Sequence, residues 1–316
     1  MGKYILKRVI SIIPVLLIMS FIVFFLIHLI PGDPAKVILG DQATPEAVER
    51  LREQMGLNQP LIFQYLRWMG NILTGNLGQS VFMKGSMTSI ILSHLIPTLE
   101  LTLYSMLIAF AVSLPLGIIA AKERYKITDQ IISGMAMIGI SIPSFLLALL
   151  LILLISVKLG VLPPAGYKAI GNSGFLMNIR YMILPSFALG LVEAGLLIRM
   201  TRSSLMDVLD SDFIRMARAK GVNDKCIMLK HALKNASLPI LTAMGQTFIS
   251  VISAAAVAET IFNIPGIGQL IVNSVSRRDY EVIQAVILVV AVINVLTYLV
   301  IDILYRIIDP RISLEK

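Results

Sequence analysis

Apolar residues gather along this chain into six long runs, roughly 9–30, 98–121, 131–157, 181–199, 237–258 and 282–305, with polar stretches between them. At about 1.5 Å of rise per helical residue each run covers a hydrocarbon core of about 30 Å, the 181–199 run only just. The pattern predicts an all-α integral membrane protein with six transmembrane helices. Prolines fall within or at the edge of several runs, at Pro14, Pro97, Pro115, Pro143, Pro185 and Pro239. Each removes a backbone donor and is expected to kink its helix unless packing compensates.

The longest polar stretch, 31–97, carries a helical pattern of its own. In "TPEAVERLREQMG" Thr44 suits an N-cap, Pro45 the first helical position, the acids the first turn and Gly56 the stop. Val48, Leu51 and Met55 share one face, and Ile62, Leu66, Met69 and Leu73 repeat that spacing in "PLIFQYLRWMGNIL". Two amphipathic helices are expected on the outer surface, capping the bundle or meeting a delivering protein. No short repeat and no low-complexity linker divides residues 1–316, so a single membrane domain is expected.

Basic residues orient the spans. With the N-terminus inside, the inner segments 1–8, 122–130, 199–236 and 306–316 hold 17 of the 27 Lys and Arg residues. The outer segments 31–97, 158–180 and 259–280 hold 10 over a greater length. The bias places both termini in the cytoplasm, with little weight given to 31–97, since long loops cross largely regardless of charge. The composition agrees: 57% of residues are hydrophobic and 15% charged, against about 25% charged in soluble domains. A net charge of +8 then reflects basic cytoplasmic loops facing anionic lipid rather than nucleic acid. The first run follows Lys3, Lys7 and Arg8 but is too long for a signal core and meets no small-x-small cleavage site, so a retained helix is expected.

Candidate chemistry is sparse. No phosphate-binding G-x-x-x-x-G-K-[ST] loop, H-E-x-x-H zinc site or G-x-S-x-G elbow is present, and "PGIG" at 265–268 reads as a turn. His28, His94 and His231 are scattered, and Cys226 is alone. An enzyme is not expected. Within the runs the ionisable residues are Glu100, Glu193 and Asp302, with Arg199 at a run end. A charge near mid-bilayer costs about 2.5–3.5 kcal/mol on insertion scales, so each must face protein or water. Glu193, in "LGLVEAGLLIRM", either lines a polar path or ties two helices together. Glu100 and Asp302 lie nearer span ends, at interfacial depth; Glu100 is assigned with Glu193 to a possible path.

The most unusual polar stretch joins the fourth and fifth runs. Eight basic residues fall between Arg199 and Lys234, yet "DFIRMARAKGVNDKCIMLKHALKNASLP" is patterned rather than loose. Asp210, Ser211 or Asp212 can cap a helix, Phe213 and Ala217 lie one turn apart, and Gly221 suits its stop. Asn223 or Asp224 can cap a second helix that places Ile227, His231 and Asn235 on one face. Small Ala217, Ala219 and Gly221 alternate with Arg218 and Lys220, which suits close docking into a groove anchored by charge.

This loop resembles the cytoplasmic loop of ABC importer permeases, whose pattern is Glu-Ala-Ala, three residues, Gly and a later Leu-Pro. Ala217, Gly221, Leu238 and Pro239 match, whereas Arg215 and Met216 replace the Glu and first Ala, and the spacing to Leu-Pro is longer. Those departures are similar to the peptide/nickel (dipeptide/oligopeptide) branch, as are "LKRVISIIPVLL", "IPGDPA", "QMGLNQPL", "IPTLELTL", "IFNIPGIGQL", "RRDYEVIQA" and "DPRI", in order over nearly the whole chain. The resemblance implies a type I importer permease in a bacterial or archaeal plasma membrane. It pairs with a second permease, two ATPase subunits that bind ATP and Mg, and an extracytoplasmic solute-binding protein, while binding no cofactor itself. It assigns Phe213, Arg215, Ala217, Arg218, Ala219, Lys220 and Gly221 to the ATPase contact. The branch carries di- and oligopeptides, glutathione, and nickel or metal chelates; the lack of clustered His, Cys or paired intramembrane acids favours peptides. An ion-coupled transporter with Glu193 as proton carrier is the alternative from another class.

Overall fold

The computed structural model describes residues 2–28, 33–40, 43–80, 82–83 and 85–308. Apart from one isolated bridge between Gln79 and Ser86, the regular elements among them are helical. They are α1 (Gly2–His28), α2 (Pro34–Leu39), α3 (Pro45–Met55), α4 (Leu61–Leu73), α5 (Met87–Lys122), α6 (Ile127–Ser141) and α7 (Ser144–Leu151). A π-helical turn, Ile152–Lys158, extends α7. There follow α8 (Ile170–Ser173), α9 (Phe175–Leu209), α10 (Asp212–Ala219), α11 (Asp224–Cys226), α12 (Leu233–Phe262), α13 (Ile267–Arg277) and α14 (Tyr280–Ile308). Among the described residues four helices are long and apolar enough to span a membrane: α5, α9, α14 and the continuous stretch Asp224–Phe262. The α6–α7 pair is a fifth if counted as one bent span, and α1 contributes a shorter apolar stretch, Ile10–Phe25. The chain is an all-helical membrane protein.

Three boundaries differ from the sequence expectation. The 131–157 run is not one straight helix: α6 and α7 meet at 97°. Ile142, preceding Pro143, is extended (φ −83°, ψ 122°), as the steric clash with a following proline favours, and the helix ends there. Pro14, Pro97, Pro115, Pro185 and Pro239 all lie inside continuing helices instead. The 181–199 run, just long enough by apolarity, belongs to the 35-residue α9, which continues past both charged ends. The second helix expected in the basic loop is not separate. Residues 224–232 run through a π-helical turn, Ile227–Ala232, directly into α12. The end of the first run with the first half of "IPGDPA", and the C-terminal segment with "DPRI", lie outside the described residues.

Two compact units can be distinguished, Met1–Ile96 with Gln269–Leu296, and Pro97–Gly268 with Thr297–Lys316. In the first, the expected caps are found. Thr44 Oγ1 accepts the Ala47 N–H at 3.3 Å, and Gly56 (φ +72°) closes α3 with its own N–H and that of Leu57 on the Glu53 and Arg52 carbonyls. The packing face of α4 is not the one its aliphatic spacing suggests. Tyr65 and Trp68 stack on Phe24 of α1, both at 5.5 Å between ring centres, while Leu66 and Leu73 remain 57% and 80% exposed. Aromatic rings contribute more contact area per residue than the aliphatic side chains, and edge-to-face geometry adds to it.

The second unit is built on α9, which packs against α12, α6 and α7. Its core includes Leu101, Met182, Leu189, Val251 and Phe262. Helices approach closely where α9 carries glycine. A Cβ on Gly190 would lie 2.6 Å from the Ser105 carbonyl oxygen of α5, and one on Gly195 2.6 Å from the Ala136 carbonyl oxygen of α6. At one end of α9 two ion pairs brace the turn between α5 and α6. Arg124 donates through Nη1 to both carboxylate oxygens of Asp210 at 2.9 and 2.7 Å. Buried Asp129 receives Arg202 Nη2 at 2.7 Å together with the Tyr125 N–H at 2.9 Å and the Ser133 hydroxyl at 3.2 Å.

Alanine at Gly190 or Gly195 is expected to lower stability by about 1–3 kcal/mol, because the clashing atoms are backbone oxygens that cannot rotate away. Thermal denaturation in detergent checks it, and an unchanged Tm for both variants would contradict the close packing. Asp129→Ala, which strands the Arg202 guanidinium, should cost about 3 kcal/mol, whereas adding Arg202→Leu should recover part of that loss. A double variant no more stable than the single would mean that the pair itself, not the stranded charge, carries the effect.

Candidate coupling loop and translocation path

The basic loop begins where α9 ends at the Asp210 cap. Ser211 caps α10 by position, but its hydroxyl donates back to the Val208 carbonyl instead of accepting a helix N–H. Only Ile214 of α10 is buried, and the helix lies against the π-helical turn Ile227–Ala232. The opposite face is open. Phe213 is 43% and Met216 58% exposed, and Arg215, Arg218, Ala219 and Lys220 are exposed with them, while Ala217 is half-buried. Arg215 reaches Asp212 at 3.3 Å; Arg218 and Lys220 have no ion-pair partner among the described residues. A small helix held by one apolar anchor thus presents two apolar side chains ringed by cations.

Gly221 ends this helix as the sequence predicts. It adopts φ +77°, its N–H donates to the Arg218 carbonyl at 2.9 Å and the Val222 N–H to the Ala217 carbonyl at 3.2 Å. That double bond pattern requires a left-handed residue, which glycine adopts without Cβ strain. No atom lies within 4 Å of where its Cβ would be, so the requirement is conformational and the surface beside it is free. Asn223 then caps the next turn, its Oδ1 accepting the Lys225 N–H at 3.0 Å.

Glu193 and Glu100, the two acids assigned to a path, have separate surroundings. Half-buried Glu193 on α9 accepts the Ser250 hydroxyl of α12 at 2.6 Å. Ser250 belongs to a ridge: every exposed residue of α12 between Ile240 and Phe262 is one of Thr242, Gln246, Ser250, Ser253, Val257 and Thr260. At about 100° per residue these six fall within about 80° of arc, and five are polar. Thr242, Ser253 and Thr260 donate to the carbonyl four residues earlier, which partly satisfies each hydroxyl within the helix.

Glu100 lies in a hydrogen-bonded knot of its own. Its Oε2 accepts Tyr167 Oη–H at 3.0 Å and Asn178 Nδ2–H at 2.8 Å, and Asn178 Oδ1 accepts Tyr104 Oη–H at 3.0 Å. Burial first, then the bond to Glu100, raises the Tyr167 phenol above its ordinary pKa, so it remains a donor. Near it lies an acid that the sequence reading passed over, since the fifth run ends one residue before it. Glu259 is fully buried, accepts the Thr98 hydroxyl at 2.6 Å, and lies under the "NIPGIG" turn, where a Cβ on Gly266 would fall 2.1 Å from its carboxyl carbon. The Ile267 N–H completes the tie by donating to Thr98 Oγ1 at 2.8 Å. Asp129 was likewise counted only as part of an inner segment; its place within "RYKITDQ", in the first turn of α6, was the available signal. No group of three or more His, Cys, Asp or Glu is placed to hold a metal among the described residues.

Comparison with known proteins gives these features a family. The model of the binding-protein-dependent transport system inner membrane component matches residues 113–314, and that of the N-terminal part of such membrane components matches residues 1–96. The glutathione transport system permease protein GsiC of Escherichia coli O6:H1 is 42% identical over 312 residues, covering 99% of this chain and 99% of that protein. Its counterpart in Escherichia coli strain K12 is 41% identical with the same coverage. In fold, the chain is similar to a chain of the inward-facing MetNI methionine ABC transporter, with a TM-score of 0.60 at 20% identity over 72% of this chain and 99% of that one. An amino acid ABC transporter solved with histidines gives 0.52 at 20% identity, over 69% and 94%. This membership sets aside the ion-coupled alternative, and a permease subunit of this kind is not expected to carry a cofactor. The chain belongs to the inner membrane components of binding-protein-dependent transport systems, as a multi-pass, non-catalytic ABC importer permease of the peptide/nickel family.

Proposed function

We propose that this chain is a six-span type I permease for di- and oligopeptides, built as one membrane domain with both termini cytoplasmic. Its spans are α1, α5, the bent α6–α7 pair, α9, α12 and α14. It pairs with a second permease of similar kind, two ATPase subunits meet the cytoplasmic side, and a solute-binding protein delivers from outside. Phe213, Arg215, Ala217, Arg218, Ala219, Lys220 and Gly221 form the ATPase contact. ATP-driven closure of the ATPases pushes on α10 and reorients the bundle between two discrete arrangements.

The observation that carries the transport reading is the polar ridge of α12 with Glu193 bonded to its middle. A helix exposing five polar side chains on one line avoids lipid, because polar side chains within a bilayer face the bundle interior or a water-filled cavity. The peptide class rests on the GsiC relatives, whose named substrate, glutathione, is a tripeptide, and on the absence of a metal-ligating cluster among the described residues. A peptide needs many weak polar contacts along a path, which a row of hydroxyls and an amide supplies.

Two outcomes test this reading. Gly221→Asp, which strains a left-handed position and adds a negative charge among cations, should leave membrane insertion intact and ATP hydrolysis measurable. Its peptide uptake in proteoliposomes holding the complete importer should fall by about tenfold or more; uptake at the wild-type rate would sink the coupling assignment. Gln246→Leu with Ser253→Leu should depress uptake while changing stability by no more than about 0.5 kcal/mol, since both side chains are exposed. Undiminished transport by that variant would put the path elsewhere.

A further inference from the structure

Within the first unit lies a cavity of about 280 Å³ whose wall comes from α1, the α3–α4 turn, α4, the 76–78 turn and the first turns of α14. That is near the lower end of ligand pockets, roughly 300–1,000 Å³, and suits a small molecule or one end of a longer one. The wall carries one cation and one anion. Arg67 of α4 has no hydrogen bond or ion pair among the described residues, and its guanidinium reaches within 2.9 Å of where a Cβ on Gly56 would lie. Glu281 of α14 accepts the Gln79 N–H at 2.7 Å through Oε2, and its other carboxylate oxygen has no partner among the described residues.

Two further polar groups on the same wall are also unpaired. The Tyr280 hydroxyl is buried with no hydrogen-bond partner among the described residues. Gln284 is only 7% exposed, and its amide likewise bonds to none of them. Most buried polar groups are paired, and each exception needs a reason. Core packing supplies none here, since aliphatic residues would fill the space at lower desolvation cost. Trp68, stacked on Phe24, closes the apolar side.

We propose that this cavity binds a short zwitterionic peptide by its free ends, Arg67 taking the carboxylate and Glu281 the ammonium. A planar guanidinium pairs with a carboxylate through two parallel N–H bonds, and a carboxylate accepts an ammonium equally directly. Between them Gln284 offers both a donor and an acceptor to a peptide group, and the Tyr280 hydroxyl one more. A metal chelate or a neutral sugar would leave one or both charges unmatched. The inference rests on the peptide reading given above and extends it: the segment 31–97, expected outside, becomes a place where peptide is held, not only a cap.

Trp68 is the only tryptophan of the chain, so its emission reports this cavity alone. The purified full chain in phosphatidylcholine nanodiscs would be titrated with trialanine. A saturable change is expected, with affinity about tenfold weaker or worse for N-acetyl-trialanine amide, for Arg67→Gln and for Glu281→Gln, which keeps an acceptor for Gln79. No saturable change, or equal affinity for the doubly blocked peptide, overturns the proposal without involving any variant. So does an emission change that follows phosphatidylethanolamine content and ignores peptide, which would give the cavity to a lipid headgroup. ATP-driven uptake by the complete importer is measured in parallel. Uptake without a titration overturns the cavity assignment alone, whereas a titration without uptake upholds the cavity and counts against peptides as the transported solute.

Discussion

Close approach along α9 is the constraint on which the second unit depends. Lipid tails are as apolar as leucine, so burying side chains between helices gains little, and short-range contact must hold the bundle instead. Gly190 and Gly195 are five residues apart and therefore point about 140° apart around the helix. One admits the backbone of α5 and the other that of α6, so α9 is clasped from two sides. Gly117 of α5 repeats the device against Thr201, farther along α9, where a Cβ would lie 2.7 Å from the threonine Cβ.

At the ends of the bundle charge takes over from contact, and the two ends use it differently. Arg124–Asp210 is partly exposed on both sides and so adds little to stability, but its two-pronged geometry fixes the α5–α6 turn to the end of α9. Asp129 is nearly fully buried and accepts from a guanidinium, a backbone amide and a hydroxyl, so its charge is matched where it could not be hydrated. The other knot uses carboxylates with uncharged donors: Glu100 with Tyr167 and Asn178, Glu259 with Thr98. The Gly166 N–H donates to the Phe262 carbonyl at 2.6 Å and binds the same loop to the end of α12. Between these braced ends Glu193 accepts the Ser250 hydroxyl and links α9 to α12 by side chains.

Much of this was legible because it is local. Thr44, Gly56 and Gly221 announce helix ends through backbone geometry that depends on their own residue type and immediate neighbours, and the structure has all three in those roles. The apolar runs mark where helices meet lipid but not where helices end, because charged residues can continue a helix into water, as Arg180 and Arg199 do within α9. Proline was ambiguous for a similar reason. Pro143 ends α6 while Pro185 and Pro239 sit inside continuing helices, and the difference lies in whether surrounding helices compensate the lost hydrogen bond, which no local sequence states. Asp129 and Glu259 were missed because their burial is made by partners 73 and 161 residues away. The π-helical turn that fuses the second loop helix to α12 had no sequence signal we can identify.

The exposed faces of the second unit divide into two chemical kinds, and that division bears on how many chains a path requires. Between Ile131 and Ile140 of α6 the exposed residues Ile131, Met135, Met137, Ile138 and Ile140 are apolar and suit lipid or an apolar partner helix, the polar exposed residues Thr128, Gln130 and Ser141 lying at its ends. Along α12 the exposed line is polar at five of six positions. Hydroxyls that bond back to their own helix tolerate a membrane, but the Gln246 amide has no such recourse, having two donors and two acceptor sites to satisfy. A chain that leaves this line open cannot by itself keep it from lipid. Enclosing it takes a second surface of the same character facing the first, and a permease of similar build is the economical source of one. On this argument the exposed chemistry of α12 supports the proposed pairing of two permeases.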